Sequence, residues 1–275
     1  GDKITSKGIA KEAGVNTVPG FMGIIEDPEE AVRIAGEIGF PVMIKASAGG
    51  GGKGMRVVAA PEELADALAA ARREAQQAFG DDELLLEKLL LRPRHVEVQL
   101  LGDTHGNLLY LGERDCSLQR RHQKVIEETP APGLSADLRR RLGETAVTAA
   151  RSVRYYSAGT VEFLLAEDGR FYFLEMNTRL QVEHPVTELV TGLDLVAWQI
   201  RVAEGAALPF AQADIAPQGH AIEARLYAEN PANDFLPVTG AIHLWQPSGG
   251  EGVRVDDGVQ SGDEVTIYYD PPLAK

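Results

Sequence analysis

The sequence is short of cysteine, of positive charge and of long apolar runs, and each shortage removes a class of protein. Cys116 is the single cysteine among 275 residues, which excludes an internal disulfide and a metal site built on several thiolates. It is expected as a small buried hydrophobe in a reducing compartment. Lysine and arginine total 27 against 41 acidic residues, giving a formal net charge of −14. That balance argues against a general binder of nucleic acid or of an anionic membrane. No apolar run approaches the roughly 18 residues of a membrane span, and no signal peptide is visible. What remains, with 44% hydrophobic and 25% charged residues, is the profile of a soluble globular protein of one large or two modest domains.

The few cations are concentrated. Of eight lysines, Lys3, Lys45, Lys53, Lys88 and Lys124 lie in or beside segments patterned like site elements, so a phosphorylated small substrate is compatible with an acidic chain.

Helical and strand signals alternate along the chain. Asp27-Pro28 starts a helix that Gly39 stops. Residues 41–47 and 55–59 read as strands, and 61–80 as an alanine-rich amphipathic helix. Strands are expected over 84–90, 95–101 and 107–113, then a long polar loop, then a helix capped by Ser135 and running to about Val153. A hairpin and a helix over about 187–204 follow. A composition shift over 206–219 reads as a linker, and from about His220 short strands alternate with Gly and Pro. The predicted class is α+β with mostly antiparallel strands.

The stretch FLEMNTRLQVEHP, 173–185, carries the most chemistry. Read with a period of two, it places Glu175, Asn177, Arg179, Gln181 and Glu183 on one face and Leu174, Met176, Leu180 and Val182 on the other. Upstream, Asp168-Gly169 between two β-rich runs is a strong hairpin signal. With those two as the turn residues, Glu162 falls directly opposite Glu175. Cβ atoms so placed are about 4.5–5.5 Å apart, and two carboxylates there need a cation or a proton between them. Asn177 adds a carbonyl oxygen, completing a hard-oxygen set suited to Mg²⁺ or Mn²⁺. A solvated face is the bland alternative. Three features weigh against it: Phe171 and Phe173 share that face, no lysine compensates the carboxylates, and the row continues with Arg, Gln and Glu.

The glycine-rich segment KASAGGGGKGMRVV, 45–58, satisfies G-x-G-x-x-G, but its glycines would match almost any such pattern. A dinucleotide loop opens into a helix, and here a strand follows; a P-loop needs Ser or Thr after its lysine, and Lys53 precedes Gly54. A strand–loop–strand remains, whose backbone N–H groups could close over phosphates with Lys53 adding charge and Lys45 pointing in. The segment EKLLLRPRHVEVQ ends a strand in the manner an adenine site needs, a weak signal by itself. Gln119 to Lys124 form the densest basic patch, either a solvated loop or an anion contact.

Taken together, the segments GDK, KASAGGGGKGM, PRHVEVQ, ERDCSLQRRHQK, FLEMNTRLQVEHPVTE, GHAIEARLYAENP and YYDP resemble the biotin carboxylases of the ATP-grasp superfamily over essentially the whole chain. The wording near the start looks most like the α subunits of propionyl- and related acyl-CoA carboxylases. The resemblance implies an ATP-grasp domain over 1–205, with a lid subdomain at about 20–90, a linker over 206–219, and the start of a biotin carboxylase C-terminal domain over 220–275. It implies ATP-dependent carboxylation of biotin by bicarbonate through carboxyphosphate.

By matching motif positions, Lys3, Lys45 and the loop residues Gly50, Gly51, Gly52, Lys53, Gly54 and Met55 would contact ATP. Glu87, Lys88 and the strand after them would hold adenine, with His95, Gln119 and His122 nearby. Glu162, Glu175 and Asn177 would carry Mg²⁺; Lys124, Arg179, Gln181 and the Val182 backbone would hold bicarbonate. Glu183 would be the base and Arg225 the partner of the biotin enolate. No Lys flanked by Met is present, so the biotin would be carried by another protein or domain, with a carboxyltransferase as further partner. A homodimer or larger assembly, in the cytoplasm or in the mitochondrial matrix of a eukaryote, goes with the family. Relatives have a subdomain before GDK and continue past YYDP, so the chain reads as a central piece of a longer enzyme. Two other readings stand beside this one: a different ATP-grasp ligase of the carbamoyl-phosphate or peptide type, and a nucleotide-binding module without turnover. The first would lack the Arg179–Gln181–Glu183 set with Arg225, and the second would bind nucleotide without turning it over.

Overall fold

In the computed structural model, the residues described are 3–21, 25, 28–47, 55–266, 268 and 272–275; of residues 3, 4 and 28 only the backbone is described. Two antiparallel sheets organise them. The smaller holds β1 (Gly20–Phe21), β2 (Val42–Ala46), β3 (Arg56–Val58) and β4 (Leu84–Lys88), in the order β1-β4-β2-β3. Helices α2 (Pro28–Ile38) and α3 (Leu64–Phe79) pack on it through Ala31, Ile34, Leu64, Leu68 and Ala71, against Val42, Ile44 and Leu86. Gly80, at φ +72°, ends α3 in the left-handed conformation that glycine adopts without a steric cost. The glycine loop, from Gly50 through Gly54 and including Lys53, lies outside the described residues, as does the side chain of Lys3.

The larger sheet carries the chemistry. It is built from β5 (Arg94–Gly102), β6 (Leu108–Arg120), β7 (Gln123–Thr129), β8 (Ser157–Leu165), β9 (Phe171–Asn177) and β10 (Ala221–Ala224). Their order is β10-β7-β6-β5-β8-β9, all pairs antiparallel. Helices α1 (Lys3–Glu12) and α4 (Ala136–Ser152) cover one face, where Val96, Val98, Leu100, Val161 and Phe163 meet Ala10, Leu142 and Ala146. Ser135 caps α4 as expected, its Oγ accepting from the Leu138 N–H at 3.2 Å. On β5 the period of two sends Val96 and Val98 into that core and Glu97 and Gln99 to the opposite side.

Several expectations are corrected. The span after Glu113 is no loop: β6 continues to Arg120 and turns tightly into β7. The turn residues Arg121 and His122 have φ of 51° and 64°, the positive values that a two-residue hairpin requires. The helix expected over 187–204 is two, α5 (His184–Thr191) and α6 (Leu195–Ala203). Gly192, at φ +69°, stops the first, and Asp194 caps the second by accepting from Ala197 N–H. The strand expected through residue 183 ends at Asn177, because α5 begins at His184 with Glu183 as its N-cap. Among the described residues no helix is long and apolar enough to cross a membrane.

The β8–β9 hairpin pairs Glu162 with Glu175 as the sequence predicts, but by another route. Its loop has three residues, closed by Ala166 and Arg170, with Gly169 at φ +79°. Near the loop Phe163 therefore pairs with Phe173 and Leu165 with Phe171; Leu174 is then left over, and pairing resumes one register later at Glu162–Glu175. The bulge also changes sides. Phe171 and Phe173 turn into the core, where Phe171 meets Phe163 edge-on at 5.4 Å, so they do not share the face of Glu175.

Candidate active site

Between the two sheets lies a cleft of about 640 Å³. Its lining is apolar at Met43, Met55, Leu89, Leu90, Leu164 and Leu174 and carries a charged end at Lys124, Glu162, Gln181, Glu183 and Arg225, which hydrogen bonds join. Such a split suits a ligand with a flat apolar part and an anionic part.

The charged end is assembled by strand register. Arg114, Glu97, Glu162 and Glu175 stand side by side on β6, β5, β8 and β9. Three carboxylates in a row would repel one another, and neighbouring cations compensate them. Arg114 Nε donates to Glu97 Oε1 at 2.6 Å. Lys124 Nζ lies 2.6 Å from Glu97 Oε2, 3.0 Å from Glu162 Oε1 and 2.6 Å from Glu183 Oε1. A compensating lysine is thus present, contrary to expectation, and it comes from β7, where Lys124 pairs with Gln119 across the hairpin.

Glu162 gathers further donors: His95 Nε2 at 2.6 Å, Asn177 Nδ2 at 2.9 Å and Gln181 Nε2 at 3.0 Å. Burial alone would raise its pKa, but the His95 hydrogen bond and the Lys124 charge reverse this and hold it at about 2. Glu97 is held at about 2 in the same way, burial being outweighed by Arg114 and Lys124. For His95, burial disfavours the charge, yet the bond to Glu162 raises its pKa overall. In the neutral ring, Nδ1 accepts from Gln119 Nε2 at 2.8 Å, leaving Nε2–H for Glu162.

Glu183 bridges two cations, since its second oxygen accepts from Arg225 Nη2 at 3.0 Å. That guanidinium also lies 2.5 Å from Glu127 Oε1. Arg225 directly follows β10, whose Glu223 pairs with Glu127 of β7. Burial raises the pKa of both these carboxyls, that of Glu223 to about 8. Cys116 is buried, and burial pushes its thiol well up, so it is an unreactive core residue.

Other candidates fall into place unevenly. Lys45, Lys88, Gln119, His122 and Asn177 line the cleft. Glu87 does not: it is buried, ion-paired to Lys7 and, at 2.8 Å, to Lys45. Lys88 gives its ammonium to the carbonyls of Gly39 and Phe40, both at 2.8 Å. Arg179 lies exposed at the cleft wall, donating to the Leu180 carbonyl at 3.2 Å. The Val182 carbonyl accepts from Lys275. Arg179, Gln181 and Glu183 leave the sheet in the turn before α5, so a loop and a helix start present them, not a strand.

Among the described residues, two groups of three His, Cys, Asp or Glu bring ligand atoms within 4.8 Å: His95, Glu97, Glu162 and Glu97, Cys116, Glu183. Glu97 and Arg114 were missed in the sequence, although the alternation of HVEVQ marks Glu97 and Gln99 as facing away from the core. Arg114 was hidden by the strand being ended one residue too soon.

Residues 2–211 match the model of the carbamoyl-phosphate synthase L chain ATP-binding domain, and residues 223–275 that of the biotin carboxylase C-terminal domain. The chain is 59% identical to the mitochondrial propionyl-CoA carboxylase alpha chain of Homo sapiens, over all of this chain and 38% of that protein. It is 56% identical to the mitochondrial methylcrotonoyl-CoA carboxylase subunit alpha of Mus musculus, again over all of this chain and 38% of the relative. The chain therefore spans less than half the length of these relatives. Among crystal structures, it superposes with a TM-score of 0.96 and 52% identity on the biotin carboxylase domain of Hydrogenobacter thermophilus 2-oxoglutarate carboxylase, a dimer in complex with MgADP, ADP and bicarbonate; the match covers 100% of this chain and 60% of that one. Biotin carboxylase of Campylobacter jejuni, in a β-γ-ATP complex, superposes with a TM-score of 0.95 at 48% identity, covering 99% and 61%.

Proposed function

Since the chain belongs to the biotin carboxylase family of the ATP-grasp superfamily, we propose that it carries the MgATP-dependent carboxylation of biotin by bicarbonate. The observation that carries this reading is Glu183, held between Lys124 and Arg225 at the charged end of the cleft. A carboxylate flanked by two cations can accept a proton from an anion that those cations hold.

ATP enters with adenine at the apolar end, near Met43, Leu90 and Leu174, and its phosphates run toward Lys45 and Lys124. Lys124, Arg179 and Gln181 hold bicarbonate, and Glu183 takes its proton. The bicarbonate oxygen then attacks the γ-phosphorus; ADP leaves and carboxyphosphate forms. Carboxyphosphate releases CO₂ and phosphate; the phosphate takes the N1′ proton of biotin, and the N1′ so freed takes up the CO₂ while Arg225 neutralises the ureido oxygen. Phosphoryl transfer of this kind depends on alignment and charge more than on covalent help from the protein. The hard oxygens of Glu162, Glu175 and Asn177, two of them set opposite by register, fit Mg²⁺ or Mn²⁺. When bound there, such an ion neutralises phosphate charge.

Residues 1–205 form the ATP-grasp domain in this reading, with the lid at about 20–90, a linker over 206–219 and the C-terminal domain from 220. The pairing of β10 with β7 makes that last part a wall of the same cleft. A biotinylated carrier and a carboxyltransferase are the expected partners, and a homodimer or larger assembly the expected form. The relatives include mitochondrial proteins and one from the bacterium Ruegeria pomeroyi. A cytoplasmic or mitochondrial-matrix location is the one we propose for this chain.

ADP release from MgATP and bicarbonate, measured with and without excess free biotin, tests the proposal. Release that requires bicarbonate and rises with biotin is expected. Nucleotide hydrolysis indifferent to both would overturn it.

A further inference from the structure

Arg114 is fully buried and lies outside the cleft lining, yet its guanidinium makes five hydrogen bonds. Nε binds Glu97; Nη1 binds Gln99 Oε1 at 2.7 Å and Thr187 Oγ1 at 2.9 Å. Nη2 binds Thr160 Oγ1 at 3.3 Å and Gln181 Oε1 at 3.1 Å. Neutralising Glu97 needs one of these. The others tie β5, β8 and α5 to the turn that carries Gln181.

Gln181 stands between Arg114 and Glu162, and its orientation is dictated by chemistry. A guanidinium can only donate, so the amide oxygen faces Arg114; an ionised carboxylate can only accept, so the amide nitrogen faces Glu162. One of the two amide hydrogens is taken by Glu162. The second stays on a side chain that lines the cleft. We infer that Arg114 is a positioning residue for the anion: by holding the Gln181 oxygen behind the wall, it makes this side chain a donor toward bicarbonate. With the amide reversed, its oxygen would face both Glu162 and the anion. The inference rests on the bicarbonate reading proposed above.

Arg114 is itself placed by backbone geometry. In β6, Leu111 and Gly112 together oppose the single residue Gln99 of β5, and Gly112 has φ +103°. The bulge shifts pairing by one residue, so that Arg114, and not Glu113, faces Glu97. Lysine cannot replace this fork, because a single ammonium matching Glu97 leaves the Gln181 oxygen unheld.

The test measures binding of [¹³C]bicarbonate to the MgADP-saturated chain by NMR, and of MgADP by calorimetry, for wild type, R114K, Q181M and the double variant. R114K keeps the charge beside Glu97 and should weaken bicarbonate at least about tenfold while leaving MgADP within about twofold. Q181M should lose a similar factor, and the double variant no more than either single one. Equal bicarbonate affinity in R114K, a matching loss of MgADP affinity, or additive losses would overturn the inference. A wild-type chain that binds MgADP but not bicarbonate would overturn the underlying reading as well. Should R114K not fold, the side-chain amide signal of wild-type Gln181 decides: it shifts on adding bicarbonate if the nitrogen faces the anion, and a constant signal is the contrary result.

Discussion

Glu162 of β8 lies directly opposite Glu175 of β9, one step beyond the point where Leu174 drops out of the pairing. Two carboxylates in that relation are held by strand geometry and not by mutual attraction, so a cation near them gains what their separation would otherwise cost. E175Q should therefore lower affinity for MgADP by about tenfold, roughly 1.4 kcal/mol, and leave metal-free ADP binding nearly unchanged. Titrations with and without a chelator separate the two, and equal losses in both would remove Glu175 from the metal set.

E183Q keeps the shape of a side chain that bridges Lys124 and Arg225 but removes its basicity. Bicarbonate-dependent ADP release should fall by about 10² to 10⁴-fold, with MgATP affinity retained. Single-turnover rates together with nucleotide titration check this. Normal turnover would exclude Glu183 as the base.

Gly112 sits at φ +103°, where a side chain is strained whatever space surrounds it. G112A should cost about 1–3 kcal/mol of stability and weaken bicarbonate binding, since the bulge sets Arg114. Gly8 is the internal control: it lies inside α1 in open space, so G8A should stabilise by about 0.5–1 kcal/mol. Urea midpoints of the two variants moving in opposite directions is the expected result.

Glu223 is raised to about 8 by burial and by the neighbouring Glu127 and Glu183, against the pull of Lys275 and Arg225. A carboxyl bound to its proton more tightly in the folded state supports stability at low pH, and that support is lost as pH climbs from the usual carboxylate range through 8. E223Q should flatten the stability–pH curve in that window, by on the order of 2–4 kcal/mol at its upper end. Denaturation series at pH 5 and pH 9 measure it, and parallel curves for the two proteins would argue against a protonated Glu223.

The cap of α4 at Ser135 and the end of α3 at Gly80 were legible because they depend on neighbours in sequence. Register was legible only in part. The Glu162–Glu175 pair came out correctly because a loop one residue longer than expected and a bulge one residue long cancel. Phe171 and Phe173, lying between those two shifts, reveal the difference by facing the core. Arg121 and His122 carry no glycine to announce their turn, so β7 and its lysine were hidden in an apparent loop. The partners of Arg114 are drawn from β5, β8, α5 and the turn before it, a convergence that no local pattern encodes.

β10 borders the large sheet on one side only, and Arg225 hangs from its end. Edge strands open more readily than the strands they cover, because fewer bonds must break at once. Opening β10 would withdraw the guanidinium from Glu183 while β5, β6 and β8 stay paired with one another. Glu183 and Arg225 thus belong to different elements, the turn before α5 and the end of β10, kept together by the β7–β10 ladder and by Ala221 packing on Val186 and Val190.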